Sequence, residues 1–295
     1  MRGFFIQKSR IQTLTEKTDY NDFMAKEFYD LGFGTTQFWY GMHEESFLCL
    51  EAAYREYGIR MIDTAEMYGG GRCEEAVGAF LKKHGRDDFY IVDKILPYNV
   101  TEKNIRKSLE NSLERLRTDH IDLYLLHWRE NAGLDLFTET MEEFRKEGKI
   151  LEWGVSNFDV SDMEDLMKCR YGNRCFVNQI FYNPDKRGVE YDLLPYLSKH
   201  GIHAMAYSSL DTRNVRRKIA SIPEVEEILE KENISVERFM LDYIRMNHVT
   251  ALFQTSSLKH LRDNMKGKDF DITVYREIIR EIFPKIDRKI PLEKR

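Results

Sequence analysis

Short apolar runs alternate with amphipathic stretches between about residue 30 and residue 267 of this chain. The stretches EESFLCLEAAYREYG at 44–58 and SVERFMLDYIRMN at 235–247 carry apolar residues three and four positions apart, as a helix with one buried face does. Eight runs are predicted as strands: YDLGFG, IRMIDTA, FYIVDK, IDLYLLH, ILEWGVSN, CFVNQI, IHAMAYS and TALFQT. Repeated strand and helix units indicate a parallel sheet, and eight of them predict an α/β fold of the (β/α)8 TIM barrel type.

The barrel is predicted to occupy residues 29–270. Residues 1–28 precede it with the apolar FFIQ and the polar run QTLTEKTDYND, which indicate an N-terminal arm or hairpin. Residues 271–295 are predicted as a C-terminal helix and tail of the same domain, with the helix over VYREIIREIF. The chain has six prolines and no linker rich in Gly, Ser and Pro, so a single domain is expected.

Composition and charge narrow the range of partners. A chain with 42% hydrophobic and 32% charged residues is typical of a globular protein, and a net charge of -5 offers no basic field to nucleic acid. The first ten residues contain a three-residue apolar run, shorter than a secretory signal requires, and no apolar stretch approaches the length of a bilayer span. The four cysteines have no zinc-like spacing. We therefore expect a cytoplasmic protein, monomeric or a weak homo-oligomer, that binds a small molecule and no metal, membrane or nucleic acid.

Polar residues finish seven of the eight predicted strands, and in a TIM barrel such strand ends meet at one mouth, where active sites lie. Taken singly, each has a structural explanation, such as a turn cap or a hydrogen-bonded core histidine. Together with Tyr68 in the loop after strand 2, they are costly to desolvate unless they hold one another in place. The residues at the strand ends are Asp63, Lys94, His127, Ser156 with Asn157, Gln179, Tyr207 and Gln254.

Seven separated segments contain or adjoin these strand ends: DTAEMYGGG at 63–71, the Lys that ends FYIVDK, IDLYLLHW at 121–128, GVSNF at 154–158, VNQIFYNP at 177–184, AYSSL at 206–210 and TSSLKHLRDN at 255–264. In their order and spacings they resemble the aldo-keto reductase superfamily, over residues 31 to about 267. RGVEYDLLPY and HAMAYSSL further resemble a bacterial branch whose members reduce methylglyoxal and other small aldehydes. The resemblance implies hydride transfer from a nicotinamide cofactor to a carbonyl carbon.

The resemblance places the catalytic tetrad of the family on Asp63, Tyr68, Lys94 and His127. Tyr68 would protonate the developing alkoxide, and because a free tyrosine has a pKa of about 10, the nearby ammonium of Lys94 is expected to lower it. Asp63 would pair with Lys94 and fix its position. His127 would donate a hydrogen bond that orients the carbonyl oxygen.

Cofactor contacts are expected along the other strand ends. Ser156, Asn157 and Gln179 would contact the nicotinamide carboxamide, and Tyr207 would stack on the nicotinamide ring. The family usually binds the 2′-phosphate of NADPH with a lysine and an arginine, and Gln254 and His260 stand at those positions here. We therefore expect NADPH as cofactor, with NADH possible. The remaining contacts expected from the resemblance are Thr35, Thr36, Ser208, Leu210, Thr255, Ser256 and Asn264.

The substrate pocket is expected to be open and small, because only one short helix follows the barrel. Trp39, Tyr98 and Trp128 are its expected walls. Arg129 stands where the family often has proline, so we hypothesise that it binds a carboxylate or dicarbonyl substrate.

Other functions fit the sequence less well. Some members of the superfamily are regulatory subunits of potassium channels, but nothing in the first 30 residues resembles a channel-blocking segment. A Rossmann dehydrogenase would need a GxGxxG turn after its first strand, which is absent. A barrel lyase or isomerase would need phosphate-binding Gly and Ser loops, whereas the loop DTRNVRRK after strand 7 lacks glycine.

Overall fold

The computed structural model describes residues 29–40, 44–210, 213–267 and 269–293, so the predicted N-terminal arm lies outside the described residues. Eight parallel strands close into a barrel in sequence order, with β8 hydrogen-bonded to β1. The prediction of a single-domain (β/α)8 barrel is confirmed. The strands are β1 (Leu31–Gly34), β2 (Met61–Asp63), β3 (Tyr90–Ile95), β4 (Ile121–Leu126), β5 (Ile150–Ser156), β6 (Val177–Phe181), β7 (His203–Tyr207) and β8 (Val249–Phe253).

Helices connect successive strands and surround the barrel, and within the described residues none is long and apolar enough to cross a membrane. The predicted C-terminal helix is present as α11. The helices are α1 (Glu44–Tyr57), α2 (Arg72–His84), α3 (Ile105–Leu116), α4 (Leu134–Lys146), α5 (Val160–Lys168), α6 (Leu193–Lys199), α7 (Arg213–Ala220), α8 (Pro223–Glu232), α9 (Val236–Met246), α10 (Leu258–Met265) and α11 (Arg276–Ile282).

The barrel interior is filled by apolar side chains. Those side chains leave no room near two strand glycines, since a Cβ at Gly32 would lie 2.6 Å from the Leu252 side chain and one at Gly154 would lie 2.7 Å from Val177 Cγ1. The polar residues that end the strands therefore lie at the carboxyl-end rim, above a packed interior. The interior residues are Met61, Val92, Leu123, Leu125, Phe176, Val177, Met205 and Leu252.

Candidate active site

Asp63, Tyr68 and Lys94 lie together at this rim. Lys94 extends from β3 and its Nζ donates to both carboxylate oxygens of Asp63, each at 2.8 Å, and to the Thr64 carbonyl oxygen at 2.8 Å. The same Nζ lies 3.3 Å from Tyr68 Oη. Lys94 is fully buried and Asp63 is 4% exposed. The ammonium thus links the carboxylate to the phenol in a site with little access to water.

A glycine turn positions Tyr68. Gly69, Gly70 and Gly71 follow it with φ values of 61°, 62° and 95°. Positive φ values of this kind strain residues that have a side chain, but not glycine. The three glycines therefore allow a tight turn between Tyr68 and the start of α2. A Cβ at Gly71 would also lie 2.6 Å from the Arg115 side chain. The local sequence therefore holds Tyr68 tightly between β2 and α2.

The net pKa of Tyr68 differs from the lowered value that the sequence predicts. Burial raises the pKa of Tyr68, the charge of Lys94 lowers it, and Asp63 raises it, with a net increase. The expected effect of Lys94 is present, since its charge lowers the pKa of Tyr68, but burial, which the prediction did not consider, outweighs it. Burial also acts to lower the pKa of Lys94, but Asp63 and Tyr68 raise it above its usual value. The site therefore holds a protonated phenol beside a charged ammonium at neutral pH.

His127 follows β4 and faces Tyr68, with ring centroids 5.8 Å apart. It is 8% exposed, and its Nδ1 has no hydrogen-bond partner among the described residues. Burial, together with the charge of Lys94, lowers the pKa of His127 to about 3. A neutral imidazole carries one N–H donor, which is the group that could polarise a carbonyl oxygen.

We expect His127 to remain neutral throughout the physiological range. Its folded pKa of about 3 lies below the value of about 6.5 for an unfolded chain. Protonation therefore opposes folding, and the histidine contributes less to stability as pH falls from about 6.5 towards 3. Nitrogen chemical shifts of the imidazole, measured by NMR between pH 5 and 8, should show the neutral form. A titration of His127 centred above pH 5 would contradict this, and the exposed His260 provides a signal for comparison.

The ends of β5 and β7 are joined by hydrogen bonds. Asn157 Nδ2 donates to the His127 carbonyl oxygen at 3.1 Å, and Tyr207 Oη donates to Asn157 Oδ1 at 2.7 Å. Asn157 and Ser208 have φ values of 62° and 55°, a conformation that is strained for residues with a side chain. The polar residues predicted to bind the cofactor thus form a fixed wall beside His127.

Gln179 reaches across the barrel. Its Nε2 donates to Asp63 Oδ1 at 2.7 Å, although the two residues are 116 positions apart, and Ser156 Oγ donates to the Gln179 carbonyl oxygen at 2.9 Å. Gln179 is 2% exposed. Its amide therefore connects the predicted cofactor wall to the Asp63 and Lys94 pair.

A cavity of about 480 Å³ opens above these residues. Sequence reasoning missed several lining residues that are chain neighbours of the predicted ones, and adjacency to a strand-end motif could have indicated them: Gly34, Gln37, Met67, Ser209, Leu252 and Phe253. Most of the predicted tetrad and cofactor residues line it too: Thr36, Asp63, Tyr68, His127, Ser156, Asn157, Gln179, Tyr207, Ser208, Leu210 and Gln254.

Other predicted cofactor residues lie outside the wall of this cavity. Thr35 is fully buried and its Oγ1 donates to the Asp63 carbonyl oxygen at 3.0 Å. The segment after β8 leads into α10, whose first turn is capped by Ser257. Around that turn the structure leaves two predicted residues exposed, Ser256 and His260, and buries two, Thr255 and Asn264.

The expected substrate residues are not gathered at the cavity wall. Tyr98 is 64% exposed, and neither it nor Trp128 lines the cavity. The Arg129 guanidinium donates to the Ala132 carbonyl oxygen at 2.7 Å and is also absent from the wall. The side chain of Trp39 lies outside the described residues. A substrate contact for all four residues stays a prediction, and the described geometry does not support it for Tyr98, Trp128 and Arg129.

The described part of the chain contains no group of three or more His, Cys, Asp or Glu side chains arranged to hold a metal ion. Its four cysteines are free thiols, and three of them are buried. The polar groups that converge at the rim are therefore the carboxylate, ammonium, phenol and imidazole described above.

The chain resembles proteins of known activity in sequence and in structure. It is 37% identical over 211 residues to methylglyoxal reductase YeaE of Escherichia coli, covering 71% of this chain and 74% of that protein. It is 31% identical over 221 residues to glyoxal reductase of Bacillus subtilis, covering 73% and 75%. The crystal structure of an aldo/keto reductase from Klebsiella pneumoniae in complex with NADP and acetate superposes with a TM-score of 0.81 and 32% identity, covering 90% of this chain and 95% of that one.

The model of the aldo/keto reductase family matches residues 30–278, which span the whole described barrel and the first turn of α11. The barrel topology and the rim of polar residues agree with that match. The chain therefore belongs to the aldo/keto reductase family of oxidoreductases.

Proposed function

We propose that the protein reduces small aldehydes or dicarbonyls to alcohols with a reduced nicotinamide cofactor, and that Tyr68 is the general acid. The observation that carries the proposal is the position of Lys94 Nζ, 2.8 Å from Asp63 and 3.3 Å from Tyr68 Oη. His127 lies beside this group at the cavity wall. A phenol, an ammonium and a neutral imidazole facing one space can protonate and orient a carbonyl oxygen.

Each member of the tetrad then has a defined task. When bound, the cofactor supplies a hydride to the carbonyl carbon. Tyr68 Oη donates its proton to the oxygen on which negative charge develops, and Lys94 stabilises the phenolate that remains. Asp63 holds Lys94 in place through two hydrogen bonds. His127 donates a hydrogen bond to the same oxygen and orients it.

The residues at the rim suit a nicotinamide. Tyr207 presents its ring to the cavity, and Asn157 and Ser156 add amide and hydroxyl groups. Gln179 Nε2 donates to Asp63, and the Oε1 of the same amide can accept from a carboxamide NH2. The NADP complex of the Klebsiella pneumoniae relative supports a nicotinamide cofactor for this chain.

A small carbonyl substrate is supported by the names of the relatives, a methylglyoxal reductase and a glyoxal reductase. The test is direct: the near-ultraviolet absorbance of NADPH should fall when the protein is mixed with methylglyoxal, glyoxal or short aldehydes. Unchanged absorbance with every substrate, despite measurable binding of NADPH, would contradict carbonyl reduction and favour a cofactor-binding regulatory subunit.

We expect a weak preference for NADPH over NADH. Gln254 carries no charge at the position where the family usually has a lysine, and His260 is exposed at the start of α10. The preference should strengthen between pH 8 and pH 6, because protonated histidine attracts a 2′-phosphate more strongly. Dissociation constants for both cofactors, measured at each pH, check this.

The variant His260→Gln serves as the control, since without the imidazole the preference should not strengthen as pH falls. A preference above roughly a thousandfold, or about 4 kcal/mol, that is equal at both pH values in the unchanged protein would show that other cations hold the phosphate. Lys259 and Arg262 are the exposed cations beside His260.

A further inference from the structure

A buried ion pair lies in the loop after β6, outside the active-site cavity. Arg187 Nε and Nη2 donate to Glu190 at 3.1 and 2.8 Å, and the two side chains are only 11% and 14% exposed. Glu190 Oε1 also accepts from Tyr182 Oη and Tyr243 Oη, each at 2.8 Å. A buried carboxylate with three donors fixes the orientation of Arg187.

Arg187 also donates to the C-terminal segment, which we define as residues 283–293. Its Nη2 donates to the carbonyl oxygens of Phe283 and Pro284 at 3.1 and 2.8 Å. The next residue, Gly188, lies directly under this segment, because a Cβ there would be 2.9 Å from Ile290 Cβ. The loop and the C-terminal segment therefore meet through two independent contacts.

The same loop contacts the expected nicotinamide platform. Phe181, at the end of β6, stacks on Tyr207 with ring centroids 5.6 Å apart and an interplanar angle of 22°. Phe181 also lines a cavity of about 120 Å³ together with residues 185–189 and 290–293. Asn183 Nδ2 donates to the Ser208 carbonyl oxygen at 3.0 Å. Contacts thus run from the C-terminal segment through the loop to Tyr207 and Ser208, which line the active site.

We propose that Arg187 and Gly188 are positioning residues: they seat the C-terminal segment on the loop after β6, and this holds Phe181 and Tyr207 in the arrangement that binds nicotinamide. The inference rests on the proposed function, because it assumes that Tyr207 packs against the cofactor. Tyr68 and Lys94 lie on the far side of the cavity and take no part in these contacts. Loss of the contact should therefore weaken cofactor binding and leave proton transfer intact.

The test compares Kd for NADPH, measured by fluorescence titration, with kcat at saturating NADPH. Arg187→Ala should raise Kd about tenfold, or about 1.4 kcal/mol, and should leave kcat within about threefold. Gly188→Ala should also raise Kd, because the new methyl group displaces Ile290 without removing a charge.

Arg280→Ala is the matched control, because Arg280 lies on the exposed surface of α11 and pairs only with Glu277 at 3.1 Å among the described residues. Its Kd and kcat should equal those of the unchanged protein. If Arg187→Ala and Gly188→Ala lower thermal stability but leave Kd unchanged, the contact is structural only and the inference is overturned. If the unchanged protein does not bind NADPH, both the inference and the proposed function are overturned.

Discussion

Tyr68→Phe is expected to lower kcat for aldehyde reduction by about 10²–10⁴-fold, the usual contribution of a general acid. The substitution removes only the hydroxyl, which lies 3.3 Å from Lys94 Nζ, and keeps the ring that packs beside His127. Because burial raises the pKa of Tyr68, the phenol holds its proton at neutral pH until charge develops on the substrate oxygen. Steady-state and single-turnover rates with NADPH and methylglyoxal measure the loss.

Two measurements distinguish the loss of the proton donor from a disruption of the whole active site. Kd for NADPH should change less than about twofold, since the tyrosine hydroxyl makes none of the proposed cofactor contacts. Tyr191→Phe, at a tyrosine that is 40% exposed and does not line the cavity, should retain full activity. If Tyr68→Phe kept more than about a tenth of kcat, while an isotope effect with deuterated cofactor showed that chemistry limits the rate, another group would be the acid.

Lys94→Met is expected to abolish activity and to lower the free energy of unfolding by about 3–5 kcal/mol, the usual cost of removing one partner of a buried ion pair. The variant leaves the Asp63 carboxylate, 4% exposed, with a single side-chain hydrogen bond among the described residues, the one from Gln179. A loss of this size is a large part of the stability of a typical protein. Urea denaturation followed by circular dichroism measures it.

The double variant Lys94→Met, Asp63→Asn provides the control, because it removes the stranded charge. It should regain much of the lost stability and still lack activity, since Tyr68 would have no ammonium beside it. If Lys94→Met were within about 1 kcal/mol of the unchanged protein, the pair of Lys94 and Asp63 would not make the contribution to stability that is expected here.

The fold could be predicted because its signal is local. Each helix and strand buries one face, so the spacing of apolar residues in a short window indicates the element. The run FYIVDK indicated β3 and the rim position of Lys94 from six residues alone. The grouping of Asp63 with Lys94 followed from the rule that strand ends of a TIM barrel meet at one mouth.

The substrate side could not be predicted in the same way. The substrate hypothesis for Arg129 rests on its standing where the family often has proline, yet its guanidinium donates to the Ala132 carbonyl oxygen, three residues away. The direction of a long side chain in a loop depends on which nearby acceptor it reaches. The position of such a residue in the sequence predicts the loop in which it lies, but not the group that its side chain contacts.

By itself, the sequence determined the barrel, its single domain and the kinds of chemical group at its rim, because these depend on periodicity and on residue type. Only the tertiary structure decided that burial raises the pKa of Tyr68 in spite of Lys94, that Gln179 donates to Asp63, and that Arg187 holds the C-terminal segment. Desolvation and hydrogen bonding depend on distances between atoms from strands and loops far apart in the chain, such as the 116 positions that separate Gln179 from Asp63. Those distances exist only once the barrel has closed.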